Sequence, residues 1–279
     1  MGHDKSVTER LWAIAVRALV VFFVVNVVAT ITAVAVNSFG TRWFATWLPA
    51  AFTVRWYVSA WDEFQLGDVL IVTLEAVGAV VLLSALIGVP AAYALARRNF
   101  PGKPLVILLF LLPMMVPPIT FGIPLATVLY RFGLGGTLSG VILANLVPTV
   151  PFVVLVMIPF IEQIDPRIEA AARVFGAGTG RLFRHVLVPL LAPGILAALL
   201  LVLVRTIAMF ELTFFTAGPD SQTLVVALYY AAYAAGVRAN QSIDAMAVVY
   251  MATTLLPLLI ALRFVDPTQL VTRVKQETR

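Results

Sequence analysis

Three ionisable side chains, Glu75, Arg205 and Glu211, fall inside long apolar stretches of the sequence, where a charge is costly unless it is paired or faces water. Their types allow two chemistries. The two carboxylates can meet a cationic solute, or Arg205 can pair with one of them and hold helices together. Arg205 and Glu211 are six residues apart in sequence and do not share a helix face. Enzyme chemistry has little to work with. The chain has no cysteine and only two histidines, His3 and His185, and it lacks an H-E-x-x-H site, a Ser/His pair and a facing Asp pair. No catalytic residue and no metal ligand set is assigned. A G-x-x-x-x-G-K-[ST] phosphate loop is also missing, so ATP is not bound by that route.

A second group of residues lies in the polar segment 161–190. Ile164, Ile168, Ala171 or Ala172, and Phe175 recur at helical spacing as one apolar stripe, with Asp165, Glu169 and Arg173 on another face. The spacing predicts an amphipathic helix. Gly176, Gly178 and Gly180 should break it, and Arg181 to Val188 should form a second short helix stopped by Pro189. Such a pair could lie on lipid headgroups.

The elements that position these residues are apolar. The chain of 279 residues is 61% hydrophobic and 12% charged, with a mean hydropathy of +1.00, which places it in a bilayer. A hydrocarbon core of about 30 Å needs about 20 apolar residues per helix. Six runs qualify: 11–36, 67–96, 104–130, 138–160, 191–216 and 244–262. The first is too long for a signal-peptide core and lacks a small-residue cleavage site, so it is kept as a span. The reading is an all-α membrane protein with one domain over 1–279. The net charge of +5 does not imply nucleic acid, because the basic residues are scattered between apolar runs.

Their positions set the topology. Lys5, Arg10, Arg17, Arg97, Arg98, Lys103, Arg167, Arg173, Arg181, Arg184, Arg263, Arg273, Lys275 and Arg279 fall on one side, and only Arg42, Arg55, Arg131 and Arg238 on the other. The basic side is the cytoplasm, which puts both termini there. Trp43, Trp47, Trp56 and Trp61 gather on the outer side, as interfacial anchors or as a docking surface. In the third run Pro113, Pro117, Pro118 and Pro124 prevent a straight helix, and Pro148, Pro151 and Pro159 repeat the theme in the fourth. Broken backbone at membrane depth is tolerated where it is buried in protein or lines a cavity. Pro117 and Pro118 therefore join Glu75, Arg205 and Glu211 as candidates for a solute pathway.

The string EAAARVFGAGTGRLFRHVLVP, residues 169–189, resembles the EAA loop of ABC-importer permeases. That pattern is E-A-A, three residues, Gly, nine residues, then an aliphatic, any residue, Leu and Pro. Gly176 is followed by the nine residues 177–185 and then by Val186, Leu187, Val188 and Pro189. The pattern's Glu falls on Ala170, and Glu169 sits one residue earlier, about 100° around the helix. AAYALARRNFPGKPL, LLPMMVPPITFGIPL and FFTAGPDSQTLVVALYY are similar to the polyamine-type branch, whose relatives carry iron and phosphonate. The resemblance implies a type I importer-permease fold of six spans, with a cytoplasmic coupling helix between spans four and five, in a bacterial inner membrane. It implies a second permease subunit, two ABC ATPase subunits that bind ATP and Mg, and an extracytoplasmic solute-binding protein, with no cofactor in this chain. The ATPase contact would fall on Ile164, Ile168, Glu169, Ala170, Ala171, Ala172, Phe175, Gly176 and Pro189. The implied solute is a polyamine-like cation, with iron, phosphonate or sugar as alternatives. An ion channel or secondary transporter would leave the EAA-like loop unexplained.

Overall fold

A computed structural model of the chain describes residues 7–44, 46–233 and 239–263. Of the residues weighed above, His3, Lys5, Arg238, Arg273, Lys275 and Arg279 lie outside the described residues. Apart from a single bridge between Gly40 and Phe52, the regular structure among the described residues is helical. Five helical stretches are long and apolar enough to cross a bilayer: Leu11–Phe39, Leu66–Arg97, Leu138–Glu162, Thr179–Ile207 and Asn240–Ile260. A bent pair, Lys103–Met115 and Pro118–Arg131, brings the number to six when it is counted as one span. The described chain divides into two compact units, one built from the chain up to 66 with 231–251, the other from 67–230 with the chain from 252.

The first unit contains α1 (Val7–Phe39), α2 (Arg55–Glu63) and the first half of α12 (Asn240–Leu262). At 33 residues, α1 is about 50 Å long, and its apolar side chains from Leu11 to Ile31 are exposed. The end of α1 near Phe39 is fixed by polar contacts. Asn37 Nδ2 donates to the Asp244 carboxylate, Trp43 Nε1 to Asn37 Oδ1 at 2.7 Å, and Trp56 Nε1 to the Gly40 carbonyl at 2.7 Å. A loop closed by the Gly40–Phe52 bridge carries Trp47, which is 99% exposed.

The second unit is organised on α6 (Leu138–Glu162), against which α4 (Lys103–Met115), α9 (Val188–Ile207) and α10 (Glu211–Thr216) pack. Small residues permit the close approaches. A Cβ added at Gly88 of α3 (Leu66–Arg97) would lie 2.7 Å from Val153 of α6, and one at Gly194 of α9 would lie 2.7 Å from Phe160. Thr137 caps α6 by accepting from the Gly140 N–H at 3.1 Å.

Three features depart from the sequence reading. The fourth span was grouped with the broken third, yet α6 runs unbroken through Pro148, Pro151 and Pro159, because each proline costs one bond in a helix supported by neighbours. The fifth run is not one helix to Thr216. It stops at Ile207, where the Met209 N–H bonds to Thr206 at 3.2 Å in a tight last turn, and α10 begins at Glu211. Pro189 does not stop a helix. The helix from Thr179 continues through it to Ile207, by way of α8 (Thr179–Leu182) and a π-helical turn at Phe183–Leu187. A wider turn just before the proline absorbs the missing N–H, which a regular α-helix would have needed. The break expected in the third span is present. Its halves, α4 and α5 (Pro118–Arg131), meet at a bend of 100° around Val116 and Pro117.

Candidate functional site

The polar segment between α6 and α9 folds as α7 (Pro166–Val174), a glycine turn and α8. Asp165 starts α7 by accepting from the Arg167 N–H at 2.9 Å, with Pro166 in the first turn. At its other end Gly176 takes φ = 82°. The Ala177 N–H then reaches the Ala172 carbonyl at 3.0 Å and the Gly176 N–H the Arg173 carbonyl at 2.9 Å. This paired closure satisfies carbonyls that the helix end would leave open. A Cβ at Gly176 would meet nothing within 4 Å, so the turn needs glycine for its dihedral and not for room.

The predicted apolar stripe is divided between two environments. Ile164 and Ala172 pack on a core formed by Ala92 and Leu95 of α3, Met157 and Ile161 of α6, Leu182 of α8, and Leu187 and Leu191. The other environment is open: Ile168 is 43% exposed, Val174 85% and Phe175 89%, and Ala170 and Ala171 are exposed as well. Val174, not singled out by the sequence, belongs to this exposed face. Its signal was the spacing of three from Ala171.

Glu169 faces inward and is only 7% exposed. Its Oε1 accepts from Arg97 Nε at 2.7 Å and its Oε2 from the Tyr93 hydroxyl at 2.6 Å. Arg97 Nη2 donates to the Ile164 carbonyl at 2.6 Å. Neither α3 residue had been assigned a role in this segment, and nothing in a linear sequence links positions more than 70 apart. Pro189 sits in the first turn of α9, behind the π-helical turn.

The pathway candidates are dispersed over the second unit. Glu75 is exposed on α3, Arg205 is half-buried in the last turn of α9, and Glu211 is half-buried in the first turn of α10. Among the described residues no ion pair joins Arg205 to either carboxylate. The guanidinium lies instead over the Phe152 ring, 5.4 Å from its centroid, where the ring face attracts a cation. Pro117 is exposed at the bend and Pro118 opens α5. Farther along α5, an open cleft of about 560 Å³ is lined by Ile123, Ala126, Thr127, Tyr130 and Arg131 with Phe215 of α10. Beside Glu211, Phe210 and Phe214 stack at 5.1 Å and both contact Tyr229 of α11 (Leu224–Tyr233).

Comparison with known proteins agrees with this architecture. A bacterial ABC transporter for the import of the acidic polysaccharide alginate contains a chain that superposes with a TM-score of 0.71 over 99% of both chains, at 18% identity. The diacetylchitobiose uptake permease of Streptomyces coelicolor is 27% identical over 71% of this chain and 67% of its own length. A sulfoquinovosyl glycerol permease of Agrobacterium fabrum is 33% identical over 66% of this chain and 65% of its own. The trehalose permease of Mycobacterium tuberculosis is 38% identical over 44% and 45%. Residues 84–270 match the family described as binding-protein-dependent transport system inner membrane component. With a multi-pass helical fold, an EAA-like segment between the fourth and fifth spans and a family match over most of its length, the chain belongs to the inner-membrane permeases of binding-protein-dependent ABC importers.

Proposed function

We propose that this chain is one of two permease subunits of an ATP-driven importer, and that α7 docks it to a partner ATPase. The exposed apolar face of Ile168, Ala171, Val174 and Phe175 carries the reading, because side chains of this kind at the end of a soluble-facing helix call for an apolar groove. Ala170 and Ala171 keep that face shallow and Gly176 sets its end, while Pro189 lies inside the continuous helix that follows. ATP and Mg are held by the ATPase, and a solute-binding protein delivers solute to the outer side. The solute is small and polar. The relatives include permeases for sugars and for molybdenum, and the polyamine-like cation draws no support from them. Its two carboxylates, Glu75 and Glu211, sit on different helices and share no bond among the described residues. A channel or secondary transporter has no use for a docking helix.

The test is co-purification. Phe175→Asp places a charge in the docking face without touching the inward contacts of Glu169. It is expected to leave permease abundance in the membrane unchanged, while the ATPase is lost from the purified complex and uptake falls by about tenfold or more. An ATPase that stays bound in native amounts would overturn the docking role of α7.

A further inference from the structure

We infer that α3 is the element through which the docking segment moves the permease, and that Arg97, Tyr93 and Glu169 are the positioning residues that fasten it. The inference rests on the docking reading above. The last turns of α3 hold the segment at three points. Arg97 grips the Ile164 carbonyl ahead of α7. Arg97 and Tyr93 together occupy both oxygens of Glu169 within α7. The Tyr93 ring also meets Phe183 of the π-helical turn edge-on, with centroids 5.9 Å apart and planes at 86°. Each oxygen of Glu169 thus has a partner within the permease, and the carboxylate is buried while Ala171 and Val174 of the same helix are exposed.

This fastening resists separation more than apolar packing would. An apolar contact slides at little cost, but parting Arg97 from Glu169 strands a charge in a site with little water. Displacement of α7 is thus transmitted to the end of α3. The helix is held again at Thr73, whose Oγ1 accepts from the Leu224 N–H at the start of α11 at 2.8 Å and donates to the Val69 carbonyl at 2.6 Å. Thr73 and Arg97 are 24 positions apart on one helix, about 36 Å at the helical rise. Between them α3 lies close on α6 at Gly88. One continuous helix therefore joins the docking segment to the start of α11, the helix whose Tyr229 contacts the stacked Phe210 and Phe214.

The readout is solute imported per ATP hydrolysed, measured on the permease reconstituted with its ATPase and binding protein. Arg97→Gln breaks the fastening from the α3 side and leaves the docking face untouched. It is expected to keep stimulated hydrolysis within about twofold of the native complex and to lower the import ratio about fivefold or more. Tyr93→Phe keeps the ring and loses one bond, and should shift the ratio in the same direction by less. Because the chain has no cysteine, Arg97→Cys with Glu169→Cys gives a unique pair that a short bismaleimide can bridge. Bridging is expected to raise the low ratio of the unbridged pair back to within about twofold of native. An unchanged ratio in Arg97→Gln, or a bridged pair as poorly coupled as the unbridged one, would overturn the role of α3 and leave a contact that only stabilises the fold. The bridged comparison is made within one preparation, so it decides the matter even where Arg97→Gln assembles poorly. Failure of the docking reading is a separate result, visible as ATPase retained by Phe175→Asp.

Discussion

Gly176 adopts φ = 82° with open space around its absent side chain, so its demand is for a left-handed backbone alone. Asparagine tolerates that region, whereas a β-branched residue pays about 1–2 kcal/mol or more to enter it. Gly176→Asn is therefore expected to keep most of the uptake and Gly176→Val to lose it, each normalised to membrane abundance. Equal behaviour of the two would assign the position to something other than its dihedral. Arg205 and Glu211 make a second residue-scale case. Arg205 sits over Phe152 and not against a carboxylate, so the two charges should act independently. A double-mutant cycle of Arg205→Gln and Glu211→Gln, read by thermal stability, is expected to show a coupling below about 0.5 kcal/mol. Mutual rescue would restore the ion pair that the sequence left open. The turn at Gly176 was legible from its spacing, whereas the inward direction of Glu169 was not. A carboxylate on a polar helix face reads the same whether it meets water or an arginine 72 positions away.

At the scale of elements, legibility followed the residues that carry a local instruction. Pro117 and Pro118 announce the bend between α4 and α5, since no N–H is available there. The stop at Ile207 has no proline or glycine to announce it, and the contacts that follow it, Phe210 and Phe214 with Tyr229 of α11, are tertiary. Pro189 misled for the opposite reason, because a wider turn upstream can absorb a proline that a strict α-helix would reject. Helix contact was equally hidden. Gly78 and Gly88 look alike in sequence, yet a methyl at Gly88 would meet Val153 at 2.7 Å and one at Gly78 nothing within 4 Å. Gly88→Ala is expected to cost about 1–3 kcal/mol of thermal stability, with Gly78→Ala close to neutral in the detergent-solubilised permease. Similar losses at both would mean that α3 does not approach α6 closely at Gly88.

For the whole molecule, the expected six crossings and their sidedness rest on apolar length and on the placement of Lys and Arg, two signals that need no tertiary information. The absence of cysteine makes the sidedness directly measurable. Trp47→Cys, at the tip of the outer loop, should react with a membrane-impermeant maleimide in right-side-out vesicles only. Gly178→Cys, exposed in the docking segment, should react in inverted vesicles only. Labelling of both from one side would reverse the charge-based topology. What the sequence could not supply at this scale was the tie between remote parts, because Arg97 and Tyr93 gain meaning only when α3 and α7 are brought together. That tie also restricts how the protein can diverge. With both oxygens of Glu169 occupied, a single replacement at 97 or 169 leaves its partner charged and enclosed, so viable lineages are expected to exchange the two positions together. Across homologous chains, positions 97 and 169 should therefore covary more strongly than neighbours with the same degree of exposure, with position 93 following them.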